Sequence, residues 1–388
     1  VDRKTVVTNS ANLKMTNQRK IRILETIRQG KIGGGESHVL DLVASLDKSR
    51  FEVVVLSFTD GPMITALQQL GIPAHVITSE KAFDLSVWRE VRKFIKDQKI
   101  DIVHAHGTRA NTNIIWAARS LKLPVIYTIH GWSFHDGLRP LVRKARIAAE
   151  KFITRRAKVN ICVSESNRNT GQSAFGSFRA LVIKNGVNLQ KFNYHGQYPD
   201  VKTAYRIPAD HLVIGFIARM TLQKDPVNMI RAFAEVLQQE SKVTLIMVGE
   251  GELKQAAIEM AAELGICGNV IFDNFRQDVP AVLSAVDIYC LPSLWEGFPI
   301  GVLEAMAMGK AVIATDVDGT REAIRHEGNG LLIPASNASA LAAAILRLSR
   351  DTVFRKRLQH EAVTTVHSTY NVAEVTKKIE AVYQQLFK

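Results

Sequence analysis

Cysteine is scarce in this chain: three in 388 residues, Cys162, Cys267 and Cys290, each in or beside an apolar segment and none in a C-x-x-C pair. That scarcity argues against disulfides and a zinc site, and fits core packing in a reducing cytoplasm. No apolar run approaches the roughly 18 residues needed to cross a bilayer. The first twenty residues are polar and basic with no apolar h-region, so they do not read as a secretory signal. Residues 1–19 read instead as a flexible tail, with Met15 a candidate start. Carboxylates do not gather as magnesium ligands would, so neither a metal nor a cofactor is expected. Low-complexity segments and short repeats are also missing.

What is present is a basic excess over an ordinary globular composition. Fifty Lys plus Arg face thirty-seven Asp plus Glu, a formal net charge of +13, while 46% of residues are hydrophobic and 22% charged. Such an excess asks for an anionic partner: nucleic acid, a phosphate-bearing small molecule or an anionic membrane surface. The length suggests two domains and hence a cleft.

Short apolar runs alternate with longer amphipathic stretches, the pattern of parallel sheets covered by helices. Strands are expected near 20–27, 51–57, 74–77, 101–105, 125–129, 159–163 and 180–184. A second series is expected near 212–217, 243–248, 269–272, 287–290 and 311–314. Between the series, residues 192–211 lack apolar periodicity and read as a linker. The fold class is α/β, two Rossmann-like doubly wound parallel-sheet domains. Their ligands belong at the carboxyl ends of the strands.

The loops there carry the candidate chemistry. Gly33, Gly34 and Gly35 precede a helix; they let backbone approach a ligand and present helix N–H groups to an anion, with a bare turn as the alternative. His130 ends the fifth strand, followed by Trp132, Phe134, His135 and Asp136 in the loop; it is placed to contact a hydroxyl or shuttle a proton, with a structural role as the alternative. His104 and His106 flank the end of the fourth strand and read as cleft-lining. From Arg139 to Lys158 eight basic residues meet one acidic residue. Arg139, Arg143 and Arg146 share one helical face, and Leu138, Leu141, Val142, Ala145 and Phe152 favour another. Such a helix suits an anionic membrane or a solvated surface.

In the second series, GFIARMTLQKDP places Arg219 and Lys224 where two cations can converge on a diphosphate, unless both are plain surface charges. SLWEGFPIGVLEAMAMGKAVIATD follows a later strand, with Pro299 expected at the first helical position of a helix over 299–308. Its free N–H groups make a phosphate cradle opposite those cations. Glu296 and Glu304 flank the cradle and read as acceptors for sugar and ribose hydroxyls. A glycosidase pair of acid and nucleophile is the competing reading, and Glu304 could also be structural.

Taken in order, GGGE, DIVHAHGTRAN, TIHG, CVSES, KNGVN, ARMTLQKDP, MVGEGEL, FRQDVP and EGFPIGVLEAMAMGKAVIATD resemble the retaining glycosyltransferases of the GT-B fold, family 4, from about residue 20 onward. The family's usual GRL reads Ala218-Arg219-Met220 here. The resemblance implies a domain over 20–193, a donor-binding domain over 194–370, and a last helix (371–388) returning to the first. It implies that Arg219 and Lys224 clamp the donor diphosphate, that Glu304 holds the ribose, that Glu296 faces the transferred sugar, and that His130 contacts its C6 hydroxyl. Donor-side positions are Gly33, Gly34, Gly249, Arg276, Gly297, Phe298, Pro299 and Ile300; acceptor-side candidates are Glu36, His106, Arg109 and Trp132. The expected reaction is transfer of a hexose or N-acetylhexosamine from a nucleotide sugar, UDP-sugar favoured, to a saccharide acceptor that is lipid-linked at the inner membrane face. A soluble acceptor and a non-hydrolysing sugar-nucleotide epimerase are the alternatives. A nucleic-acid partner is not expected, because no recognised binding motif accompanies the charge.

Overall fold

The computed structural model describes residues 19–30 and 33–387. The tail assigned to 1–19 therefore lies outside the described residues except for Arg19, whose guanidinium forks onto Asp101 at 2.7 and 2.9 Å.

Two parallel sheets carry the chain. The first comprises β1 (Ile21–Ile27), β2 (Phe51–Ser57), β3 (Ala74–Val76), β4 (Ile102–His106), β5 (Val125–Ile129), β6 (Val159–Cys162) and β7 (Leu181–Val182), in the order β3-β2-β1-β4-β5-β6-β7. The second comprises β8 (Leu212–Ile217), β9 (Val243–Val248), β10 (Val270–Asp273), β11 (Ile288–Leu291), β12 (Ala311–Thr315) and β13 (Leu331–Ile333), in the order β10-β9-β8-β11-β12-β13. Helices cover both faces, so the central strands are apolar nearly throughout. The order reverses at β1/β4 and at β8/β11, and each reversal opens a crevice at the strand ends where a ligand can sit.

Differences from the sequence reading are local. β13 was not expected: Leu331, Leu332 and Ile333 are too few to show a period, yet they pair with β12. The strand expected over 180–184 shortens to two residues. The 192–211 linker contains a short helix, Val201–Ala204, capped by the Asp200 side chain. Val187 and Phe192, placed by sequence in the first domain, pack in the core of the second. Cys162 and Cys290 are buried, but Cys267 is exposed in a 3-10 turn, so only two of the three serve the core.

The last helix, Val372–Phe387, returns to the first domain. Val375, Ile379, Val382 and Tyr383 join Ile23, Val39, Leu42 and Ile102 in one core. At roughly 2 kcal/mol per fully buried large apolar side chain, that helix is part of the first domain and not an appendage. The chain crosses where Val187 and Asn371 form a parallel bridge.

Candidate active site between the domains

The wall supplied by the first domain begins at the Gly34–Ser45 helix. Gly33 is its N-cap and makes no side-chain cap, so Gly34 and Gly35 lie within the first turn and not ahead of it. The space in front of Gly34 is open, whereas a Cβ on Gly35 would sit 3.5 Å from the His130 ring. Glu36, in the same turn, is buried; burial pushes its pKa up to about 7, against the opposing pull of Arg219.

The facing wall is charged. Arg219 is exposed just beyond β8 and forms no ion pair among the described residues; its Nε would lie 3.9 Å from a Cβ at Gly33, which brings the two walls together. Lys224 pairs with Glu296, and Ser293 Oγ donates to the same carboxylate oxygen at 2.6 Å. Gly249 follows β9 at φ +147° and lies under this loop: a Cβ there would stand 2.1 Å from the Ala218 carbonyl oxygen. The helix after Glu296 runs Ile300–Ala307 with Pro299 as its N-cap. It therefore starts one residue later than expected, because Pro299 has extended ψ (101°) and remains half outside the helix. No side chain caps its first N–H groups, so like the Gly34–Ser45 helix it offers free donors to an anion.

Glu304 lies one turn further on, half-buried and without a hydrogen-bond partner among the described residues; burial raises its pKa to about 7, eased by Lys191 and reinforced by Asp41. Phe298 is buried against Tyr370, ring centroids 5.4 Å apart, and its carbonyl accepts from Asn185 Nδ2 at 3.1 Å. Arg276 is held by its own domain: Nε donates to Asp278 at 2.8 Å and Nη1 to the Tyr205 hydroxyl at 3.0 Å. Its guanidinium is thereby committed, leaving the backbone for any ligand contact.

The walls touch at Gly297. A Cβ there would meet the His130 carbonyl oxygen at 1.9 Å, so only glycine permits this approach. Nearby, the His135 ring stacks on Trp295 across the cleft, centroids 4.4 Å apart. Farther out, the Glu322 carboxylate receives the Ser166 backbone N–H at 2.7 Å and Lys184 at 2.9 Å.

Behind His130 lies a buried polar chain. His104 and His106 are two apart on β4 and so share a face of the sheet with Glu25 of β1. His106 Nδ1 meets His130 Nε2 at 3.0 Å, and His106 Nε2 meets Glu25 Oε2 at 2.7 Å. Tyr383 of the last helix donates to Glu25 Oε1 at 2.6 Å, and His104 bridges Tyr383 and Thr128 at 2.7 Å each. His104 and His106 are therefore buried under the cleft and do not line it. His38, His106 and His130 each bring a ring nitrogen within 4.8 Å of the others, but both His106 nitrogens are engaged, which organises the group as a hydrogen-bond chain.

The other acceptor-side candidates are scattered. Trp132 donates to the Asn167 carbonyl at 2.7 Å and packs among Phe134, Phe175 and Phe178, which makes it a support for the loop. Arg109 sits in the first turn of the helix after β4 (Thr108–Ser120), half-buried, with its pKa lowered by burial and by Arg28. The basic stretch forms the Pro140–Thr154 helix. Its one acid, Glu150, is fully buried and accepts from Thr108 (2.6 Å), Tyr127 (3.0 Å) and the Ser133 backbone (3.2 Å). Outward, Leu141 is 81% and Val142 41% exposed beside Arg139 and Lys144.

Sequence reasoning missed Glu25, His38, Asp41, Lys191 and Ser293. For Glu25 a signal existed, since a carboxylate inside an apolar strand demands buried partners; Asp41 and Lys191 carry none, because only the meeting of the domains brings them to Glu304.

Two doubly wound sheets closing on a cleft, with a cation pair and two uncapped helix ends inside it, define a GT-B transferase. Residues 32–191 match the family described as Glycosyltransferase Family 4, and residues 198–364 that described as Glycosyl transferases group 1. The chain belongs to the family 4 glycosyltransferases of the GT-B fold. It is 24% identical over 375 residues to the UDP-Gal:alpha-D-GlcNAc-diphosphoundecaprenol alpha-1,3-galactosyltransferase of Escherichia coli, covering 94% of this chain and 97% of that one. It is 28% identical over 370 residues to the phosphatidyl-myo-inositol mannosyltransferase of Mycobacterium leprae, covering 91% and 93%. The fold is shared with HepE of Anabaena in complex with UDP-glucose (TM-score 0.84, 24% identical, 94% and 100% covered). It is shared too with WaaG, a glycosyltransferase involved in lipopolysaccharide biosynthesis (TM-score 0.74, 17% identical, 93% and 99% covered).

Proposed function

We propose that the protein transfers a hexose or N-acetylhexosamine from a UDP-sugar, with retention, to a hydroxyl of a lipid-linked saccharide in bacterial cell-surface polysaccharide synthesis. The observation that carries this reading is the convergence of Arg219, the Lys224–Glu296 pair and the two uncapped helix ends on one cleft. The cations and the helix N–H groups stabilise the departing diphosphate, where negative charge grows in the transition state. Glu296 and Glu304 take sugar and ribose hydroxyls, and His130 contacts the C6 hydroxyl. With Arg219 and Lys224 supplying positive charge, the reaction needs no metal and no cofactor beyond the sugar nucleotide. Retention follows if the leaving phosphate oxygen accepts the acceptor proton on the front face of the sugar. The lipid-linked acceptor rests on the E. coli relative, whose name specifies a diphosphoundecaprenol saccharide.

The Pro140–Thr154 helix supports a place on the inner face of an anionic membrane. Its first turns expose Leu141 and Val142 among basic side chains, a surface that can insert apolar groups while cations meet lipid phosphates.

The test is a donor panel of UDP-, GDP- and ADP-sugars with and without a lipid-linked saccharide extract, in EDTA. Acceptor-dependent release of UDP and an α-linked product are expected. Epimerisation of UDP-sugar without acceptor, or strict dependence on added metal, would sink the reading.

A further inference from the structure

We propose that Glu25 and His106 form a positioning relay that fixes His130 in its Nε2–H tautomer, leaving His130 Nδ1 as a lone-pair acceptor that takes the O–H of a hydroxyl on the transferred sugar. The inference deepens the proposed transfer reaction and rests on it for the identity of the ligand.

The protons can be placed one by one. Burial opposes ionisation of Glu25, but His104 and His106 outweigh it and hold its carboxyl well below the ordinary range, so it only accepts. It already accepts from the Tyr383 hydroxyl at 2.6 Å, and His106 Nε2, 2.7 Å away, must therefore carry a hydrogen. Burial and the neighbouring His104 push the pKa of His106 down to about 4, so its ring is neutral and its Nδ1 bare. A bare Nδ1 at 3.0 Å requires the hydrogen on His130 Nε2. Burial with its histidine neighbours also keeps His130 neutral, which leaves Nδ1 without a proton.

That nitrogen is buried and finds no hydrogen-bond partner among the described residues. A buried acceptor left unpaired costs free energy until a donor arrives. His38, edge-on at 5.1 Å between centroids, does not fill the gap, since neither of its nitrogens has a partner either. The first turn of the Gly34–Ser45 helix and the Gly297 turn both adjoin His130, so an O–H group held in the cleft between them is the natural donor. The relay thus makes a histidine selective for hydroxyls that donate. The opposite tautomer would favour groups that accept.

Two measurements decide the matter. Long-range 15N–1H correlation spectra of the full-length protein labelled at histidine report the tautomer directly. A bare Nδ1 and protonated Nε2 at His130 are expected; the reverse pattern, an imidazolium, or a bound divalent metal found by elemental analysis overturns the relay, whatever the enzyme transfers. The second is turnover with monodeoxy UDP-sugars and their deoxyfluoro partners, because fluorine can accept but not donate. At one position both replacements should lower kcat/KM by about tenfold, the size of one hydrogen bond. Rescue by fluorine, or no penalty at any position, overturns the hydroxyl assignment. His106→Leu should erase the penalty and mix the tautomers, while His106→Asn, which keeps an acceptor at the δ position, should preserve both readouts. If His106→Leu fails to fold, the wild-type spectrum and the fluorine comparison still decide the case.

Discussion

The two halves of the molecule repeat one topology, with the strand order reversing at β1/β4 and again at β8/β11, yet the two crevices hold opposite chemistry. In the first, the polar groups are buried histidines of lowered pKa arranged around one carboxylate. In the second, cations stand near solvent and a carboxylate is shared between Lys224 and Ser293. The fold determines where a ligand can sit; the residues at the strand ends determine what the place does to it. On the proposed reading the second domain meets the departing charge with cations and holds sugar and ribose hydroxyls with carboxylates, whereas the first reads a hydroxyl with a neutral imidazole.

Lys224→Ala should lower kcat/KM by about a hundredfold or more, the loss typical of removing one transition-state donor, with the fold intact by circular dichroism. A larger loss from His130→Ala would reverse the assignment of roles. Gly297→Ala should come next: its methyl group meets the His130 carbonyl, so the walls part and kcat falls by about tenfold while Tm moves little, as stopped-flow and calorimetry can show. If Glu304 holds the ribose as proposed, Glu304→Ala should raise the donor KM by roughly tenfold, with the fold intact by circular dichroism. An unchanged KM would return Glu304 to a structural role.

Glu36 has its folded-state pKa raised from an ordinary 4.5 to about 7 by burial, so its neutral form favours the native state. The stability it contributes is full below pH 4.5 and is lost as pH rises through 7. Glu36→Gln should therefore melt with the wild type at pH 4.5 and a few degrees above it at pH 8, measured without donor. Reversing Arg143 and Lys144 to Glu should weaken sedimentation with anionic liposomes and leave turnover on a short soluble acceptor analogue alone. Indifference to lipid charge would remove the membrane reading.

Much of this was legible beforehand, and for physical reasons. Apolar runs between amphipathic stretches revealed twelve of the strands, whereas Leu331–Ile333 sits between Gly328-Asn329-Gly330 and Pro334 and so reads as part of a turn-rich loop. The cation loop and the Glu296–Glu304 stretch were readable because glycine, proline and charge at fixed offsets mark a loop entering a helix. His106 and Trp132 were harder. Residue type and strand-end position are the same for a residue in the cleft and one beneath it, and only packing of His106 under His130, and of Trp132 among Phe134, Phe175 and Phe178, separates the cases. The Asp41–Glu304 encounter, with Lys191 between, exists only once the domains meet.

The return of the Val372–Phe387 helix has a consequence for biosynthesis. When β7 ends at Val182, the first domain still lacks the side chains that finish its core, and about 190 more residues must be polymerised before the first of them exists. At ribosomal speeds that interval is roughly 10–40 s. Throughout it the Glu25 carboxylate is without its Tyr383 donor and the sheet face beneath the last helix is uncovered. The second domain can close its own sheet first. The order of maturation on the ribosome is then the reverse of the order of translation, with the half made earliest completed last.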